Sequence, residues 1–294
     1  MKKKEFLYQA VLTIAFAALC FLVLFPFLLL LSTSFTSEKD LMEYGYRLIP
    51  QKFSLDAYKF VFENPLTIYR AYGVTAVFSV VAMVLSVLMM SLIAYPLSRK
   101  AFIYRRPISF YLYFTMLFNG GLVPTFILIT QYLHLDDTIW VYILPSLITP
   151  WYVFMMRTFF QDLPESIFES ARLDGAGELR IYLQMALPLS KPVLATVALF
   201  MFLGKWNDWM TSMLYINDER LISLQYLLQR ILERTEMMLQ VSESGLGAFA
   251  DVTDLPTETA KMATAVIVAG PALVVFPFFQ KYFVKGLTVG GVKG

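Results

Sequence analysis

Charged side chains are scarce in this sequence. Only 16% of its 294 residues are Asp, Glu, Lys or Arg, against about 25% in an ordinary soluble domain. With so little polar surface to cover a core, a soluble enzyme is disfavoured. Intrinsic disorder is excluded as well, because it needs high charge and low hydrophobicity. The single cysteine, Cys20, lies in an apolar run, so there is neither an intramolecular disulfide nor a thiolate metal site. The single histidine, His134, sits in a short polar connection and reads as an exposed loop residue. One histidine cannot build a metal cluster, and its exposed loop position speaks against a membrane-embedded protease or acyltransferase, which needs a His, Asp or Ser constellation at one depth. A net charge of +2 gives no footprint for nucleic acid. A phosphate loop is also missing. Gly286 and Gly291 have the spacing of its glycines, but Val292 stands where the lysine is required. The chain is therefore expected to hydrolyse no ATP, and to hold no metal or cofactor of its own.

Apolar sequence is abundant. Hydrophobic types make up 58% of the chain, and the mean hydropathy is +0.62. Residues 6–37, 71–98, 107–135, 138–156 and 262–280 carry no charge at all, and 192–217 carries only Lys205 and Asp208. A helix needs about 20 apolar residues to cross a bilayer core. Continuous rather than alternating hydrophobicity favours helices over a barrel. The expectation is an all-α integral membrane protein with six transmembrane helices. The first run is too long for a secretory signal and reads as a retained span. With both termini inside, inner segments hold 14 basic residues in 65 positions and outer segments 9 in 89, as the positive-inside rule requires. Lys2, Lys3, Lys4 and the cluster Arg99, Lys100, Arg105 and Arg106 set this bias. Asn119-Gly120-Gly121 with Pro124 is expected to interrupt the third span, and Gly270-Pro271 with Pro277 the sixth.

The longest inner loop, 157–191, has internal order. Pro164 and Glu165 suit a helix start, and Ile167, Phe168 and Ala171 fall on one apolar face. Asp174-Gly175 then breaks the helix, 176–186 resumes it and Leu187-Pro188 ends it. An apolar face shown to the cytoplasm predicts a docking partner. In the fifth span, Lys205 and Asp208 lie at hydrocarbon depth, spaced i, i+3, on a helix face with Trp209 and Ser212. Two readings stay open for them: a polar, aromatic lining of a pathway, or an ion pair that fixes helix packing. Asn119, Trp151 and Tyr152 are weaker lining candidates.

Glu169-Ser170-Ala171-Arg172-Leu173-Asp174-Gly175, nine residues, then Met185-Ala186-Leu187-Pro188 closely resembles the EAA loop of ABC-importer permeases. Ser170 replaces the family's Ala and Met185 its Ile. The resemblance covers nearly the whole chain. Residues 118–125, the run Trp206-Asn207-Asp208-Trp209 and the ending 276–286 with 292–294 look like the carbohydrate-uptake group, and most like permeases for pectin- or alginate-derived oligosaccharides.

The resemblance implies a MetI-like fold in a bacterial inner (cytoplasmic) membrane. It also implies a second homologous permease, two ATPase subunits that bind ATP and Mg, and an extracytoplasmic solute-binding protein that delivers the oligosaccharide. Glu169, Ala171, Asp174, Gly175, Leu187 and Pro188 would couple to an ATPase. Lys205, Trp206, Asn207, Asp208, Trp209, Asn119 and Tyr152 would face the substrate path. The apolar stretch 221–232 would cap the outer mouth or receive the binding protein. The expected division is a first span and outer segment over 1–68, a five-span core with the coupling loop over 69–285, and an inner tail over 286–294. A secondary transporter driven by an ion gradient is the competing reading; the absence of a convincing internal repeat speaks against it.

Overall fold

A computed structural model describes residues 2–243 and 257–290. The elements are helical: α1 (Lys2–Ser34), α2 (Glu38–Tyr44), α3 (Asp56–Val61), α4 (Pro65–Ser98), α5 (Arg105–Leu117), α6 (Leu122–Ile127), α7 (Trp140–Ile143), α8 (Pro150–Gln161), α9 (Glu165–Leu173), α10 (Glu178–Ile181), α11 (Leu187–Leu189), α12 (Lys191–Trp206), α13 (Met210–Tyr215), α14 (Leu224–Glu243) and α15 (Thr257–Gly290). π-helical turns extend α6 over Leu128–Tyr132 and join α10 to α11 over Tyr182–Ala186. Among the described residues the one extended pairing is an isolated bridge between Thr36 and Phe53.

Among the described residues, three helical stretches are long and apolar enough to cross a membrane: Tyr8–Ser34, Pro65–Ser98 and Thr257–Phe278. Two bent pairs raise the number to five when each is counted as one span: Arg105–Leu117 with Leu122–Tyr132, at 114°, and Glu178–Leu189 with Lys191–Trp206, at 78°. The third expected span is thus broken at Asn119-Gly120-Gly121, where Gly121 takes φ +87°. Pro124 lies inside the first turn of α6 and breaks nothing, since the N–H it lacks has no helical partner there.

Three span expectations are corrected. Residues 138–156 do not form one helix: α7 tightens into a 3-10 turn at Leu144–Ser146, and α8 starts afresh at Pro150. Pro150 opens α8 and holds the preceding Thr149 extended, at φ −108° and ψ 109°, which divides the run. The fifth span is broken as well, with α12 ending at Trp206 and α13 starting at Met210. Conversely, α15 runs unbroken through Gly270, Pro271 and Pro277.

Two compact units are present, one from residues 1–68 with 228–271 and one from 69–227 with 272–294. In the first, Phe35 stacks on Phe53 and Tyr58 at centroid distances of 5.1 and 5.0 Å. The buried Glu38 carboxylate caps the start of α15. It accepts the Thr257 hydroxyl at 2.9 Å, the Glu258 and Thr259 N–H groups at 3.0 Å each and the Thr259 hydroxyl at 2.7 Å. Those N–H groups have no partner within their own helix, and an anion there meets the positive end of the helix dipole.

In the second unit one core gathers Met90 and Tyr95 of α4, Val153, Met156 and Phe160 of α8, Phe168 and Ala171 of α9, and Val197 and Met201 of α12. Another centres on Phe78, stacked on Tyr142 at 4.1 Å and 6°. His134 is exposed, at φ +48°. Nearby, Asp137 accepts the backbone N–H groups of Asp218 and Asn217, and these bonds hold its carboxyl below the usual range. The expected tail residues 291–294 and the part of the outer segment over 244–256 lie outside the described residues.

Candidate functional site

The 157–191 loop is built as a short helix, a turn and a second helix. Pro164 enters at φ −58°, and Glu165 opens α9. At the far end the chain closes as a Schellman turn: Ala176 N–H donates to Ala171 O at 2.9 Å, and Gly175 N–H to Arg172 O at 3.0 Å. Gly175 sits at φ +78°. A Cβ there would meet nothing within 4 Å, so backbone strain, not lack of space, makes the position a glycine one.

The apolar face of α9 turns inward. Phe168 is 0% exposed and Ala171 2%, both within the core of their own unit. The expected docking of this face on a partner is therefore corrected, and Ala171 is a packing residue. Its small side chain lets α9 lie close to that core. The outward face carries Ser166, Glu169, Ser170 and Leu173, the last 89% exposed. Glu169 makes no hydrogen bond or ion pair with any described residue, and Asp174 is exposed beside it. The second helix does not end at Leu187-Pro188. It runs one residue further, to Leu189, after a π turn over Tyr182–Ala186. Leu187 packs partly against the core and Pro188 is exposed.

A charged network fastens the loop to the end of α4. Arg99 is only 7% exposed. It donates to Phe160 O at 3.0 Å and to Glu165 at 3.2 Å. Its guanidinium lies over the Phe168 ring at 4.0 Å and the Tyr95 ring at 5.0 Å. Arg172 reaches back to Glu165 at 3.4 Å and forward to Glu178 at 2.9 Å, and the Tyr95 hydroxyl donates to Glu178 at 3.0 Å. The hydrogen bond to Glu178 raises the Arg172 pKa further above its ordinary value. This network is not visible in the sequence, where Arg99 reads as one more topology-setting cation, whereas Arg99 is internal. The clue available was the pairing of Glu165, Arg172 and Glu178 across one predicted turn.

The residues proposed for a pathway divide into separate settings. Lys205 and Asp208 pair at 3.0 Å with side chains 13% and 14% exposed. They do not share a helix face with Trp209 and Ser212, since the helix stops between them. The pair spans that break: Asp208 also accepts the Thr211 N–H at 3.0 Å and its hydroxyl at 2.8 Å, which caps α13. Asn207 closes the other side, donating to Leu203 O at 2.9 Å and accepting from Gln225 at 3.0 Å. Backbone released by a break in a membrane helix needs such partners. Trp206 is 3% exposed and packs against Phe202 and Tyr72, while Trp209 is exposed. Asn119 is exposed and accepts the Gly121 N–H at 2.9 Å. Tyr152 stacks on Phe200 at 6.3 Å, and Trp151 is exposed. Among the described residues no cluster of His, Cys, Asp and Glu could hold a metal.

Helices long and apolar enough to cross a membrane, two bent pairs and a loop pinned by ion pairs define a helical membrane protein. Over residues 74–289 the chain matches, and it belongs to, the family of binding-protein-dependent transport system inner membrane components. It is 40% identical over 280 residues to the polygalacturonan/rhamnogalacturonan transport system permease YtcP of Bacillus subtilis, covering 95% of this chain and 94% of the relative. It is 32% identical to the arabinooligosaccharides transport system permease AraQ of Halalkalibacterium halodurans, covering 96% of each chain. A crystal structure of a bacterial ABC transporter involved in the import of the acidic polysaccharide alginate contains a similar chain. That chain has a TM-score of 0.78 and 28% identity, with 95% of this chain and 98% of that one covered. The resemblance read from the sequence is thus established, with the ABC-permease fold and the role of a transport permease subunit.

Proposed function

We propose that the chain forms half of the membrane pathway of an ATP-driven importer for oligosaccharides, of the kind released from pectin or alginate. The observation that carries this is the rigid α9 loop, fastened to α4 through Arg99 and presenting Glu169, Leu173 and Asp174 outward, in a chain of this transport family. A second homologous permease completes the pathway. Two ATPase subunits supply ATP and Mg chemistry, and a solute-binding protein outside the cell delivers the sugar. The basic-residue bias supports six spans in the inner membrane, with both termini and the 157–191 loop in the cytoplasm. The division into a first span with its outer segment, a five-span core and a short inner tail belongs to the same reading. The relatives named for polygalacturonan/rhamnogalacturonan and arabinooligosaccharides, and the alginate importer, support the substrate class.

Coupling then has a direct physical route. Closure of the ATPases moves α9, and Arg99 carries that motion to α4 while the continuous path from α10 to α12 carries it to the broken fifth span. Lys205, Asp208 and Trp209, with Asn119 and Tyr152, line the sugar path; Trp206 and Asn207 hold the break that positions them. The test is uptake of a labelled oligogalacturonide into proteoliposomes carrying the full complex, with binding protein on the outside. Uptake that needs internal ATP and survives ionophores supports the reading. Uptake driven by an ion gradient without ATP overturns it in favour of a secondary transporter.

A further inference from the structure

A groove of about 440 Å³ lies between the end of α4 and the second half of the loop, and the coupling role leaves it unused. Its apolar wall includes Leu92, Pro96, Ala101, Phe102 and Leu179. The other lining residues, Tyr95, Arg99, Arg172, Glu178 and Tyr182, are polar or charged and are bonded within the chain. Tyr182 pairs with Ser91 at 2.7 Å, Tyr95 and Arg172 hold Glu178, and Arg99 holds Glu165 and Phe160 O. The unpaired Nε of Arg99 is sealed from solvent. Such a wall offers an occupant little to hydrogen-bond, which suits an alkyl chain better than a polypeptide strand. The size falls within the range of about 300–1,000 Å³ typical of small-molecule sites.

Three cations, Lys100, Arg105 and Arg106, adjoin the groove in sequence: Lys100 lies between the lining residues Arg99 and Ala101, and Arg105 donates its backbone N–H to the O of the lining Phe102 at 3.1 Å. Lys100 and Arg106 are exposed and Arg105 half-buried, and none of the three forms an ion pair with a described carboxylate. The depth is that of a membrane interface. The apolar helix α4 ends at Ser98, so Leu92 lies about 9 Å inside that end at about 1.5 Å per residue, while Ala101 and Phe102 lie beyond it. Basic pockets at this level attract anionic headgroups.

We infer that the groove binds one anionic phospholipid, with an acyl chain along Leu92, Phe102 and Leu179 and its phosphate against Lys100, Arg105 and Arg106. The lipid would fill the space between α4 and α10, so the bilayer itself would brace the loop. This site is independent of the sugar and of which face of the membrane the loop occupies.

The test places the photoreactive residue p-benzoylphenylalanine at position 179 of the full complex, in nanodiscs of equal parts phosphatidylglycerol and phosphatidylcholine. Mass spectrometry of the cross-linked peptide should show phosphatidylglycerol at least threefold over phosphatidylcholine. The triple variant Lys100→Gln/Arg105→Gln/Arg106→Gln should bring the ratio to parity, and Ala101→Trp should remove both lipid adducts by filling the groove. If the triple variant does not assemble, Lys100→Gln alone, at an exposed position, should lower the ratio. Parity in the unaltered complex, a preference that survives the charge and filling changes, or cross-linking to a polypeptide instead of lipid would each overturn the inference.

Discussion

Arg99 and Glu165, 66 positions apart in sequence, are joined by an ion pair of 3.2 Å in which the arginine is buried and the glutamate half-exposed. The pair ties the residue that follows the membrane-length helix α4 to the first residue of α9. Arg99→Met should lose the bond to Phe160 O and the stacking on Phe168 as well, leaving that carbonyl unpaired. The expected destabilisation is about 2 kcal/mol, read as a lower thermal midpoint of the purified complex. Arg99→Lys keeps the charge but cannot serve both acceptors and stack, so it should fall between the two. A midpoint unchanged in Arg99→Met would show that the strut contributes nothing.

The turn after α9 makes a separate demand. Gly175→Val must hold a β-branched residue at φ +78°, a strain of about 1–3 kcal/mol. Because space is open there, Gly175→Ala should cost less, about 1 kcal/mol. The graded outcome expected is modest loss of ATP-driven uptake in the alanine variant and severe loss in the valine variant. Equal uptake in both would mean that the turn geometry does not matter for coupling.

The outward face of α9 should be separable from the fold. Glu169→Lys and Leu173→Asp alter exposed positions, so assembly of the permease pair and its thermal midpoint should hold within about 0.5 kcal/mol. Binding of the ATPase should fall at least tenfold, measured by pull-down at fixed salt. Phe168→Ala is the counterpart on the inward face: removing a fully buried ring should destabilise the permease by about 3–5 kcal/mol.

The break in the fifth span gives a fourth contrast. Lys205→Met with Asp208→Leu removes the ion pair and the cap on α13 together. Replacing a buried pair by apolar groups of similar size is often tolerated, although the Thr211 N–H loses its acceptor. Normal assembly with lost uptake and lost sugar-stimulated ATPase places the pair on the path. Wild-type uptake would remove it from the path, and failed assembly would assign it to packing.

Orientation can be read by labelling. Cysteines at Lys100 and Arg180 should be protected from impermeant maleimide in intact cells, and one at the exposed His134 should react. Labelling of Arg180 from outside would reverse the topology.

Much of this architecture was legible in one dimension. The charge-free runs gave the long helices, Asn119-Gly120-Gly121 gave the sharpest bend, and Asp174-Gly175 gave the turn. Local chemistry suffices there, because a glycine at positive φ or an apolar run acts within a few residues. The sequence misled where the partner is distant. Ala171 and Phe168 look like a surface stripe until α4, α8 and α12 are placed against them. Arg99 looks like an interfacial cation until Phe160 O and Glu165 arrive beside it. The capping of α15 by Glu38 joins positions more than 200 residues apart and has no local signature. Proline misled in both directions: Pro271 and Pro277 lie inside an unbroken helix, while Pro150 divides a run that carries no charge.

The central claim is that the exposed side of α9 meets an ATPase, and disulfide trapping tests it most directly. A cysteine at Leu173 should cross-link to a cysteine introduced in the docking surface of the co-purified ATPase, and the yield should change when ATP is added. A cysteine at Ala171, 2% exposed, should give no such product. Cross-linking from Ala171 with none from Leu173, or from neither in an active complex, would contradict the account.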